Sequence, residues 1–182
     1  MNLEPQHTML IVMDIQEKLF NAMPETRNDM INNCQKLIKA AGILKIPIII
    51  TEQYPKGLGK TVENIKKFLP SDVTLMEKTE FSCVNNNQII DKIKNLNKKN
   101  VVLCGLETHI CIYQSARDLA KTGHSVHVPV DAVHSRRKMD WKTGVKLIEK
   151  SDAIPTTTET VIFDLMKAAD TSEFREISRL LK

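Results

Sequence analysis

The stretch Thr8-Met-Leu-Ile-Val-Met-Asp-Ile15 constrains this chain more than any other. It is a near-continuous apolar run ending in an acid, without alternation of polar and apolar positions. A strand with one wet face alternates, so an unbroken run marks a strand buried on both faces, as in a parallel sheet covered by helices. Asp14 then lies at or near the carboxyl end of that strand.

The rest of the chain repeats the pattern. Strands are expected at Pro47–Thr51, Val73–Lys78, Val101–Cys104 and Ser125–Val130, with a short sixth at Asp152–Thr158. Pro155 cannot donate to a ladder, which puts the sixth strand at an edge. Helical spacing runs from about Thr26 to Ala41, with Met30, Ile31, Cys34, Leu37 and Ile38 on one stripe and Gly42 as its end. Further helices are expected near Asn86–Leu96, from about Thr108, over Met139–Lys150, Glu159–Ala169 and Ser172–Leu181. Six strands alternating with helices predict an α/β fold, a three-layer α/β/α sandwich of the doubly wound kind, as one domain over residues 1–182.

Several function classes lose support at once. The formal charge is only +4, and neither Lys92/Lys94/Lys98/Lys99 nor Arg136-Arg137-Lys138 is interleaved with aromatics, so no nucleic-acid partner is expected. No apolar run approaches the ~18 residues of a membrane span, and the first residues do not read as a signal peptide. GxxxxGK[ST] is absent, and Gly57-Leu-Gly59 lacks the third glycine of a dinucleotide fingerprint, so no nucleotide cofactor is expected. Cys34, Cys83, Cys104 and Cys111 form no CxxC pair and read as reduced thiols of a cytoplasmic protein.

The chemistry gathers at strand ends. The run Val101–Cys104 stops at Gly105, and a helical pattern opens near Thr108 with Ile112, Ala116 and Leu119 on one face. Cys111 then falls in the first helical turn, where unpaired N–H groups and the helix dipole favour thiolate. A small buried apolar residue is the plainer account of such a cysteine. Asp14, Lys78 and Cys111 end the first, third and fourth strand units, and doubly wound sheets bind ligands at those ends. Asp14 can take the thiol proton, Lys78 can hold the anions, and backbone N–H groups before Cys111 can face an oxyanion. His109 is the other candidate base. Gln16, Tyr54, Phe81 and Tyr113 are the expected pocket residues, around a small-molecule substrate. Cys34 and Cys104 read as core, and Cys83 as packing or pocket.

These residues resemble the isochorismatase-like cysteine hydrolases, which include nicotinamidases, carbamoylsarcosine amidases and ureidoacrylate amidases. The matches are Asp14 in Val-Met-Asp-Ile-Gln, Lys78 in Glu-Lys-Thr-Glu-Phe-Ser, Gly-Leu-Glu-Thr-His-Ile-Cys-Ile at 105–112, and Asp131-Ala-Val-His-Ser-Arg136. The loop Thr51-Glu-Gln-Tyr-Pro-Lys-Gly-Leu-Gly59 looks most like the isochorismatase domain-containing branch. The resemblance implies an Asp14–Lys78–Cys111 triad, a cis peptide at Leu106–Glu107, and an oxyanion hole from the N–H groups of Glu107 and Cys111. It implies a six-stranded parallel sheet of order 3-2-1-4-5-6, so that Lys78, on an edge strand, must reach inward. The Asp-x-His metal site of nicotinamidases is replaced by Glu52-Gln53-Tyr54, so no metal is expected. Cys111 also counts against the isochorismate vinyl-ether hydrolases, which lack the thiol. The expected function is hydrolysis of a small amide, ureido or related carbonyl compound through a thioester on Cys111. A catalytically idle member, used for protein interaction or ligand sensing, is the alternative. An open pocket at the strand ends needs a cap, so a homo-oligomer is expected.

Overall fold

A computed structural model describes residues 2–71, 73 and 75–181. In chain order, β1 (Thr8–Met13) leads through α1 (Glu17–Asn21) and α2 (Arg27–Ile43) to β2 (Ile48–Gln53). Two single-turn helices, α3 (Pro55–Leu58) and α4 (Glu63–Lys66), precede β3 (Leu75–Lys78) and α5 (Asn87–Leu96). Next come β4 (Asn100–Leu106), α6 (Tyr113–Lys121), β5 (Ser125–Pro129) and β6 (Val133–His134). The chain finishes with α7 (Lys138–Glu149), β7 (Ile154–Thr156), α8 (Thr158–Met166) and α9 (Ser172–Leu181).

Every residue of β1 is buried, and it pairs in parallel with β2 on one side and β4 on the other. The sheet runs β3-β2-β1-β4-β5-β7. Its two faces follow from the two-residue repeat of a strand. Leu10 and Val12 point into a core shared with α2, α8 and α9, whereas Met9, Ile11 and Met13 point into one shared with α5 and α6. Cys34 and Cys104 are buried in the first core, Cys83 and Cys111 in the second.

The outline expected from sequence holds, with local corrections. The sheet has a seventh strand: β5 ends at Pro129, and the chain returns at β6 to pair with Gly105 and Leu106 at the end of β4. The third strand begins at Leu75 rather than Val73; Thr74, like the ends Met1 and Lys182 of the expected domain, lies outside the described residues. Helix α2 runs through Gly42. Its stop is Lys45, at φ 54°, after which Ile46 donates to the Ala41 carbonyl at 2.8 Å. That left-handed residue with a backward-reaching N–H is how helices commonly end, and a lysine takes the place glycine usually fills.

At the carboxyl end of the sheet, β4 passes β1 at very short range. A Cβ on Gly105 would lie 2.1 Å from the Met13 carbonyl oxygen, and Gly105 has φ +118°. Only glycine fits there. This close passage brings the segment after β4 next to Asp14.

Candidate active site

Asp14 follows β1 in a left-handed conformation (φ 54°) that turns the chain off the sheet end. Its side chain is fully buried. Oδ1 accepts a hydrogen bond from Thr51 Oγ1 at 2.7 Å, and Oδ2 accepts one from Lys78 Nζ at 2.7 Å. The register explains both partners. Thr51 lies beside Met13 in the β1–β2 ladder, and Lys78 lies beside Gln53 in the β2–β3 ladder. From the edge strand, the long lysine side chain crosses the end of β2 to reach Asp14. On the way Nζ donates to Gln53 Oε1 at 2.6 Å and to the Glu80 carbonyl at 3.3 Å.

Cys111 does not stand in the first turn of an ordinary α-helix. Thr108–Ile112 forms one π turn, in which Ile110 and Ile112 both donate to the Glu107 carbonyl at 3.1 and 3.2 Å, and α6 begins only at Tyr113. The Leu106–Glu107 peptide before it is cis. Cys111 is 6% exposed. Burial pushes it well above the ordinary thiol range, the Asp14 charge raises it further, and Lys78 opposes them less strongly. The expectation of a favoured thiolate is therefore corrected: desolvation and a neighbouring carboxylate outweigh the N–H groups of the turn. Cys83, fully buried nearby, is also pushed up by burial, to about 11.

The π turn is braced from outside. The buried Glu107 carboxylate accepts from Arg136 N at 3.0 Å and from Arg136 Nε at 3.1 Å. His109 Nδ1 is 3.1 Å from Ser135 Oγ, which ties the other candidate base to the Val133–Arg136 segment. Helix α7 presses on the same turn through Gly144, where a Cβ would stand 2.8 Å from His109 N and from the Thr108 carbonyl carbon.

Asp14, Lys78, Cys111 and Glu107 thus converge. The expected pocket residues divide. Tyr54 (53% exposed) and Phe81 (54% exposed) stand on the rim after β2 and β3. Tyr54 has φ 37°, and its ring covers Gly57, where a Cβ would come within 2.5 Å of it. Tyr113 is half-buried, with the Arg117 guanidinium 5.5 Å from its ring centroid. Gln16 is fully buried and forms no open wall. Its Nε2 donates to the carbonyls of Gln53 (2.9 Å) and Gly59 (2.7 Å), and its Oε1 accepts from Gln53 N (2.7 Å).

Sequence reasoning passed over Thr51 and Gln53. A polar pair closing an apolar strand next to the one ending in Asp14 was the available signal. In the stretch where nicotinamidases carry metal ligands, Glu52 is committed to Thr61, accepting from its N–H at 2.6 Å and its hydroxyl at 2.7 Å. Among the described residues, no three His, Cys, Asp or Glu side chains cluster as a metal site.

Residues 8–160 match the family model of the isochorismatase domain. The chain belongs to the isochorismatase family. It is 38% identical to isochorismatase family protein 1A of Dictyostelium discoideum over 180 residues, spanning 97% of this chain and 86% of that one. It is 36% identical to isochorismatase domain-containing protein 2 of Rattus norvegicus over 182 residues, spanning 98% and 82%. Among solved structures, the MAR1 ribonuclease of Caenorhabditis elegans superposes with TM-score 0.93 at 39% identity, over 100% of this chain and 92% of that one. The branch indicated by the Thr51–Gly59 loop is thus among its relatives.

Proposed function

We propose that this protein is a cysteine hydrolase of a small amide, ureido or related carbonyl compound, working through a thioester on Cys111. One observation carries the reading: a fully buried Lys78–Asp14 ion pair at 2.7 Å with the Cys111 thiol beside it, at the carboxyl end of a doubly wound sheet. The resting thiol keeps its proton. As a carbonyl carbon approaches, Asp14 takes that proton, the S–C bond forms, and the carbonyl electron pair moves onto oxygen. The N–H groups of Glu107 and Cys111 are the donors assigned to that oxyanion. Asp14 returns the proton to the leaving nitrogen as the C–N bond breaks. Water then attacks the thioester with Asp14 again as base, releasing the acid and restoring the thiol.

Lys78 has an electrostatic role in this scheme. Its three N–H bonds are taken by Asp14, Gln53 and the Glu80 carbonyl, which leaves none for substrate. The half-exposed rings of Tyr54 and Phe81 support a substrate mouth completed by another copy of the chain, hence a homo-oligomer. No metal or cofactor enters the scheme, and reduced thiols suit a cytoplasmic setting.

The decisive experiment offers the protein a panel of small primary amides and ureido acids, followed by intact mass and released ammonia. A transient acyl adduct in wild type, absent from Cys111→Ala, is the expected result. If no compound gives adduct or ammonia, the hydrolase reading fails. The idle interaction module then takes its place, a reading favoured by how strongly the thiol holds its proton. The similar protein of Caenorhabditis elegans is named a ribonuclease. In the present chain the Lys78 ammonium is buried and fully bonded, so it cannot grip a phosphate. RNA incubated with wild type and Cys111→Ala is expected to stay intact in both.

A further inference from the structure

We propose that Gln53 is a positioning residue that works through Lys78: its amide oxygen, a neutral acceptor, holds the ammonium on Asp14. The inference rests on the hydrolase reading above and deepens it.

Gln53 is buried, and each of its polar groups has a partner. Oε1 accepts from Lys78 Nζ at 2.6 Å, and Nε2 donates to the Thr79 carbonyl at 2.8 Å. That second bond fixes which end of the amide faces the lysine, since an NH2 group cannot accept from an ammonium. The backbone N–H and carbonyl of Gln53 are both bonded to Gln16. Side chain and main chain are therefore held together, and the oxygen is presented to Lys78 in one geometry.

The choice of an amide has a chemical reason. A buried ammonium must satisfy three N–H bonds or lose much of its charge to desolvation. Asp14 takes one of them, and the Glu80 carbonyl is a long third at 3.3 Å. A hydrocarbon at position 53 would strand an N–H. A carboxylate there would draw the ammonium off Asp14 and set a second negative charge near the thiol. An amide oxygen satisfies the bond without competing for the charge.

The test reads the pH midpoint of Cys111 alkylation by iodoacetamide, which needs no substrate. Proteins compared are wild type, Gln53→Met, Gln53→Glu, Lys78→Met and the Gln53→Met/Lys78→Met double variant, each checked for folding by thermal melting. Lys78 pulls the thiol midpoint down, so loosening it must raise the midpoint. Gln53→Met is expected to slow labelling at pH 8 about tenfold, a shift of about one pKa unit. Gln53→Glu is expected to slow it further. In the Lys78→Met background, Gln53→Met is expected to add nothing, the signature of a residue acting through another. An unchanged midpoint in Gln53→Met, or the same shift with and without Lys78, overturns the proposal. If Gln53→Met does not fold, a wild-type midpoint in Gln53→Glu overturns it instead. A wild-type midpoint in Lys78→Met refutes the role given to Lys78 itself, a separate failure.

Discussion

Gly144 on α7 lies so close to His109 that a β-carbon would stand 2.8 Å from the His109 nitrogen. The contact is backbone against backbone, within the same π turn that carries the thiol. Helix α7 therefore sets the position of that turn without contributing a reacting group.

Gly144→Ala must push α7 and the π turn apart. Overpacking of this kind costs about 1–3 kcal/mol. A lowered thermal midpoint is expected, together with a changed Cys111 alkylation rate. Hydrogen exchange should localise the disturbance to residues 107–112; a wild-type melt and wild-type labelling would contradict the contact.

Asp14 and Lys78 pull the Cys111 thiol in opposite directions. Asp14→Asn removes the negative charge and leaves Lys78, so the midpoint of thiolate formation should fall. Lys78→Met leaves the buried carboxylate alone with the thiol, so it should rise. Thiolate absorbance against pH reads both, and shifts of the same sign would exclude the arrangement. Under the proposed mechanism, hydrolysis of any substrate found should be lost in both variants, because one would lack the proposed base and the other its counter-charge.

Thr51→Val keeps the side-chain shape but takes the hydrogen bond from Asp14 Oδ1. An under-satisfied buried carboxylate costs about 1–3 kcal/mol. Denaturant melts at neutral pH should show that loss with an unchanged m-value, and Thr51→Ser should restore most of it.

His127, buried on β5, is held below the usual histidine range, first by desolvation. Its Nε2 is 3.0 Å from Ser125 Oγ. The folded protein keeps this ring neutral while the unfolded chain protonates it near pH ~6.5. The unfolded state then binds more protons, so stability is full above that value and falls as pH drops from it towards the folded value. Thermal melts between about pH 7.5 and about pH 5 are expected to show this fall, and His127→Leu should flatten it.

The parallel sheet and the gathering of Asp14, Lys78 and Cys111 at its carboxyl ends could be read from the chain because each rests on a strong local signal, whereas the strand order followed only from the family resemblance. Unbroken apolar runs demand burial on both faces, and a polar residue closing such a run has one place to go. The π turn was not legible, since Ile112, Ala116 and Leu119 carry the same spacing whether the helix opens at Thr108 or Tyr113. The state of the thiol was misjudged for a related reason: N–H groups near Cys111 are visible in sequence, but its burial and its distance from a carboxylate are not. Gln16 was expected in the pocket, yet its amide is used up on Gln53 and Gly59. Gln53 was counted only within the branch-like loop and as part of a missing metal motif.

The ammonium that completes the site is delivered by β3, a four-residue strand at the margin of the sheet. Margins fray before centres do, since one side of the ladder has nothing to hold it. Local opening of Leu75–Lys78 would take the ammonium from Asp14 without requiring the β1–β4 ladder to break. On the reading proposed above, the counter-charge of the site would depend on the local stability of this edge strand rather than on that of the whole fold.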